Sequence, residues 1–74
     1  MNENEDIKTS QQVGKKLKEL REERKLTQVE VATQSGINIT HYAKTERGKT
    51  NTTIAKLRRI CKVLKVKSSD ILPF

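Results

Sequence analysis

Apolar side chains recur along this chain at helical spacing. Val13, Leu17 and Leu20 fall at i, i+4 and i+7, and the opposite face carries Lys15, Lys16, Lys18, Glu19, Glu22 and Glu23. This predicts a first helix from about Ser10 to about Arg24. Much later, Ile54, Leu57, Ile60, Cys61 and Leu64 repeat in the same way, with Lys56, Arg58, Arg59 and Lys62 outside. That stripe predicts a helix starting at Thr52 or Thr53, with its apolar members facing the core.

Capping chemistry divides the stretch between these two helices. Thr27 with Glu30 three residues on is a capping box, so a second helix starts there with Val31 and Ala32 inward. Ser35-Gly36 ends it, because glycine accepts the left-handed conformation. Asn38 caps a third helix almost at once, and Gly48 stops it. Two short helices around a turn of about four residues with one glycine have helix-turn-helix spacing. A short fifth helix is expected from Ser68 as cap, with Ser69 and Asp70 in its first turn and "ILPF" closing the chain. No strand signal, repeat or low-complexity tract occurs. The fold expected is all-α with five helices, helices 2 and 3 forming the helix-turn-helix. Residues 1–9 lack apolar periodicity and are expected to be a disordered acidic tail, leaving 10–74 as the domain.

The third helix offers little to a core. Ile37, Tyr42 and Thr45 make a thin inward stripe, while Asn38, Ile39, Thr40, His41 and Lys44 point outward. Charge indicates what the outward face meets. Sixteen Lys and Arg stand against nine Asp and Glu, for a net +7. Residues 1–10 hold three acidic residues and one lysine, so the other 64 residues carry +9. So positive a body attracts polyanions, either nucleic acid or an anionic membrane; a solvated, solubilising surface is the plainer alternative.

Other classes are excluded by composition. At 74 residues one domain is the limit, and such a domain buries only about 60% of its unfolded surface. The single cysteine, Cys61, forbids an internal disulfide. His41 is the only histidine and has no partner at ligand spacing, so no metal or cofactor is expected. No Ser-His-Asp set, supported Cys-His pair or phosphate-binding glycine loop is present, so the chain is not expected to be an enzyme. No apolar run approaches the ~20 residues of a membrane span, and "MNENEDIK" is unlike a signal peptide. A cytoplasmic or nucleoid-associated protein is expected.

The motifs together resemble the phage-repressor helix-turn-helix family, the Cro/CI-like or XRE group. The marks are "LREERKLTQ" (Leu20–Gln28), "VA" (Val31-Ala32), "SGI" (Ser35–Ile37), "ERGK" (Glu46–Lys49), "IAKLRRICKVLKV" and "SSDIL". They cover about residues 12–72 in the family's order and spacing. Three positions depart from it: Lys25 for a glycine before "LTQ", Thr52 for a proline, and Thr45 for a large aliphatic residue.

The resemblance implies a double-stranded DNA-binding regulator of transcription, a repressor, with helix 3 in the major groove. Ile39, Thr40 and Lys44 match the family's base-reading positions. Ile39 suits a thymine methyl, Thr40 a base or a phosphate, and Lys44 the guanine O6 and N7 acceptors. Gln28 at the start of helix 2, with Asn38, His41, Arg47, Lys49 and Asn51 around helix 3, suits the phosphate backbone. Tyr42 is expected to be a core anchor.

Arg21 and Glu46 both border buried faces, where a charge needs a partner. The family pairs these positions, so a structural ion pair is expected, with Arg24 on the same stripe as rival to Arg21. Recognition of two half-sites about 34 Å apart implies a homodimer, and Ile71, Leu72 and Phe74 are the residues expected at its interface. The alternative is a protein-binding adaptor or antitoxin-like partner on the same fold, whose third helix would be expected to be more apolar.

Overall fold

A computed structural model describes the backbone of residues 3–74 and the side chains of residues 5–74. Four α-helices follow one another: α1 (Glu3–Glu23), α2 (Gln28–Ser35), α3 (Ile39–Glu46) and α4 (Ile54–Leu64). A 3₁₀ turn, Ser68–Asp70, follows α4. No strand occurs among the described residues. Helix α1 packs on α3, α2 on both α3 and α4, and the 3₁₀ turn on α4. Their inward faces share one core of Val13, Leu17, Leu20, Val31, Ala32, Ile37, Tyr42, Leu57, Ile60, Cys61, Leu64 and Ile71. Tyr42 and Leu17 are among its largest fully buried side chains.

The caps form as local chemistry requires. Thr27 Oγ1 accepts from Glu30 N at 3.1 Å while Glu30 Oε1 accepts from Thr27 N at 2.9 Å. Gly36 ends α2 with φ 67°. Asn38 Oδ1 accepts from Thr40 N at 2.8 Å and His41 N at 3.2 Å. Thr53, the second of the two expected starting residues, caps α4 through Lys56 N. Lys25, standing for a glycine, holds the left-handed conformation itself at φ 56°. Thr45 is buried, but its hydroxyl donates to His41 O at 2.9 Å and so leaves no donor unpaired.

Four expectations need correction. First, α1 begins at Glu3, so residues 3–9 of the expected tail continue the helix; Met1 and Asn2 lie outside the described residues. Acidic groups at Glu5 and Asp6 favour the helix N-terminus, and Thr9 Oγ1 donates to Glu5 O at 2.9 Å. Second, the fifth helix is only a 3₁₀ turn, with Lys67 rather than Ser68 in the cap position. Pro73 disfavours the α region at Leu72, and the turn closes there, with Leu72 N donating to Ser68 O at 2.8 Å. Third, Ile54 is 89% exposed. Fourth, Ile71 is buried in the monomer core, so its side chain is not available to a second copy.

Gly14 fixes the approach of α1 to α3. A Cβ built there would lie 2.4 Å from Glu46 O and 2.5 Å from Thr45 O, both backbone atoms. Gly14→Ala gains about 1 kcal/mol of helix propensity, but overpacking costs typically 1–3 kcal/mol. Neither helix backbone can yield locally, so a net destabilisation of about 1–2 kcal/mol is expected. Chemical denaturation checks this, and an unchanged or raised midpoint would show that α1 can lift without loss.

Candidate nucleic-acid interface

The outward side of α3 is built from its first turn. Ile39 (39% exposed), Thr40 and Lys44 are all presented to solvent. Behind them, Ile37, Tyr42 and Thr45 are buried and hold the helix on the core. The three residues expected to read bases therefore share the free side of one anchored helix.

Around this helix, three amide side chains are each tied at one end. Asn38 spends its Oδ1 on the α3 cap. Asn51, in the loop after α3, accepts the Ser10 hydroxyl at its Oδ1. Gln28 donates from Nε2 to Glu46 Oε1 at 3.1 Å. In every case at least one N–H of the amide remains for another acceptor. The open end of α2 adds backbone donors. Its first-turn N–H groups have no intrahelical partner, and since Thr27 takes that of Glu30, those of Gln28 and Val29 remain. Arg47 and Lys49 are exposed just beyond α3. His41 differs from its neighbours: it is half-buried, and its Nε2 is enclosed by protein without a hydrogen-bond partner. That atom is not offered to a phosphate.

Under the interface lies the ion pair. Arg21 Nε donates to Glu46 Oε2 at 2.7 Å and Nη2 to Oε1 at 3.1 Å, a two-point contact with side-chain exposures of only 11% and 2%. Arg21 Nη1 also donates to Leu26 O at 2.8 Å. Burial pushes the Glu46 carboxyl up, but hydrogen bonds from Arg21 and Gln28, with the Arg21 charge, outweigh it and hold Glu46 below its ordinary value. The neighbouring Tyr42 hydroxyl also lowers it, although its buried oxygen makes no hydrogen bond of ordinary geometry. Burial and the Glu46 charge together push the Tyr42 phenol well up, so it stays neutral. The Arg21 guanidinium is raised by its Glu46 bond. Arg24, the rival partner, instead reaches the Leu64 carbonyl and, at 3.0 Å, Leu20 O. It thereby closes the end of α4 against the end of α1.

Sequence reasoning missed three participants. Ser10 is 41 residues from Asn51, and no local pattern signals that contact. Val29 is an exposed apolar residue in the first turn of α2, directly after Gln28; its lack of a place on the apolar stripe was the available signal. Ile54 follows the apolar spacing of α4 in the sequence but stands exposed at the start of that helix. Among the described residues, no group of acidic, histidine or cysteine side chains has the arrangement of a metal site, and no helix is long and apolar enough to cross a membrane.

A family model described as helix-turn-helix matches residues 17–71. Two solved structures share the fold with a TM-score of 0.82. One is the restriction-modification controller protein C.AhdI from Aeromonas hydrophila, 24% identical, covering 85% of this chain and 96% of its own. The other is the clp gene regulator ClgR from Corynebacterium glutamicum, 22% identical, covering 85% of this chain and 67% of its own. No curated protein matches the sequence.

Proposed function

Because this chain belongs to the XRE-type helix-turn-helix family of DNA-binding transcription regulators, we propose that it is a repressor that binds a palindromic operator as a homodimer. The observation that carries this reading is the free side of α3, where Ile39, Thr40 and Lys44 stand exposed on a helix anchored by Tyr42. Helix α3 enters the major groove, with Ile39 against a thymine methyl and Lys44 at guanine acceptors. Gln28, Asn38, Asn51, Arg47 and Lys49 hold the phosphates on either side. The net charge of +7 draws the protein to the duplex.

The second copy meets the first at the start of α4. Ile54 and Phe74 are 89% and 86% exposed, and with Val13, Leu57 and Leu72 they line a shallow apolar groove. Of the residues first expected there, Leu72 and Phe74 remain and Ile54 takes the place of Ile71.

Selection from random duplexes tests the reading. A site with two-fold symmetry is expected, its affinity falling steeply with salt. Ile39→Ala, Thr40→Ala and Lys44→Ala should each relax preference at particular bases, by up to about 1–3 kcal/mol where a bidentate contact is lost. Arg47→Ala should weaken all sequences alike. If no sequence is enriched and only weak, salt-sensitive binding remains, the DNA-reading role is overturned, and α3 is a face for a protein partner.

A further inference from the structure

We propose that Glu46 is a positioning residue for DNA binding: through Gln28 it sets the amide that meets the phosphate backbone. The inference rests on the DNA-binding reading above, but it assigns Glu46 a role beyond the ion pair.

The geometry is a three-helix relay. Glu46 ends α3, Arg21 lies near the end of α1, and Gln28 opens α2. The Glu46 carboxylate is held at both oxygens by Arg21, and the guanidinium is in turn fixed to Leu26 O just before α2. With 2% side-chain exposure, this carboxylate is a stationary acceptor. Its Oε1 accepts from Arg21 Nη2 and from Gln28 Nε2, each at 3.1 Å.

The chemistry then selects the amide's orientation. An ionised carboxylate only accepts, so Gln28 must turn its NH₂ group, not its carbonyl, toward Glu46. The second Nε2 hydrogen is left over, and so are the backbone N–H groups of Gln28 and Val29 at the open end of the same helix. These are the donors a phosphate oxygen needs at an open helix end. An untethered glutamine would lose much of its rotamer freedom on reaching that phosphate; the tether removes that loss before DNA arrives. Arg21 cancels the Glu46 charge, so the anchor does not repel the phosphate it serves.

The test is a double-mutant cycle on duplex affinity, using a short mixed-sequence duplex because a phosphate contact is sequence-independent. Gln28→Ala is expected to weaken binding roughly tenfold, the size of a hydrogen bond to a charged group. Glu46→Gln, which still offers Arg21 an amide oxygen, is expected to weaken it by a similar factor while remaining helical by circular dichroism. The double variant should lose no more than either single one, because both remove the same contact. A loss near a hundredfold in the double variant would mean the two act independently and would overturn the proposal. So would Glu46→Gln binding as tightly as the unaltered protein.

A measurement on the unaltered, DNA-free protein needs no variant to fold. The Gln28 side-chain amide should show a ¹⁵N order parameter close to that of rigid backbone, and a value below about 0.6 would overturn the tether. Failure of the unaltered protein to bind any duplex would overturn the DNA reading and this inference together, whereas duplex binding with additive losses would remove the inference alone.

Discussion

Glu46→Ala is expected to destabilise the protein by about 3–5 kcal/mol, the range for removing one partner of a buried ion pair. The change leaves the Arg21 guanidinium charged, 11% exposed and without its two acceptor oxygens, and it strips Gln28 of its partner. A chain of this length has a total stability of only roughly 4–11 kcal/mol at typical values per residue. Each kcal/mol moves the melting midpoint of so small a domain by about 4–8 °C. The midpoint should therefore fall by well over about 10 °C, and part of the population should be unfolded already at assay temperature. An unchanged midpoint in thermal melts would refute the structural role. The pH dependence has a definite sign. Glu46 titrates below its ordinary value in the folded state, so its contribution is fully present above the ordinary carboxylate range and is lost as the pH falls through the folded value. The gap between the unaltered protein and Glu46→Ala should be constant from neutral pH to about pH 5 and narrow below that.

Local chemistry explains which parts of this structure are legible in the sequence. The Thr27/Glu30 box, Gly36 and Asn38 each act on backbone groups within three or four residues, so their spacing places both ends of α2 and the start of α3, and it places the start of α4 at Thr52 or Thr53; the residues that cap the ends of α3 and α4, Arg47 and the left-handed Lys65, carry no such signal. That Arg21 and Glu46 each need a partner is legible because both border buried faces; that they partner one another, with Arg24 as the rival, is implied only by the resemblance to the helix-turn-helix family. The start of α1 is not, since a helix nucleated on its packed half propagates through exposed residues without needing an apolar stripe. Ile54 deceives for a geometric reason. At about 100° per residue it sits about 70° from the centre of the α4 stripe, and it opens the helix where no neighbour covers it. The Ser10–Asn51 and Gln28–Glu46 contacts join residues 41 and 18 positions apart. They follow from the way α1 and α2 cross the end of α3, not from any motif.

Ile54→Asp should lower affinity for a two-half-site operator by about a hundredfold or more while leaving a single half-site bound as before. Linking two binding events through one assembly gains about 10²–10⁴ over either alone, so splitting the dimer forfeits that factor without touching α3. The substitution is mild for the fold. Ile54 is 89% exposed, and surface changes of this kind usually stay within about 0.5 kcal/mol. It is also the first residue of α4 after the Thr53 cap, where a carboxylate favours the helix dipole. The same carboxylate is badly placed against a second apolar face, because it would be buried there without a partner. Sedimentation at increasing concentration reports the dimer directly, and titration of full and half operators reports its consequence for DNA. If the unaltered protein stays monomeric at high concentration, and Ile54→Asp binds the full operator as tightly, then the groove of Ile54, Leu72 and Phe74 is not where two copies meet. Two half-sites would then be read by contacts formed only on the DNA.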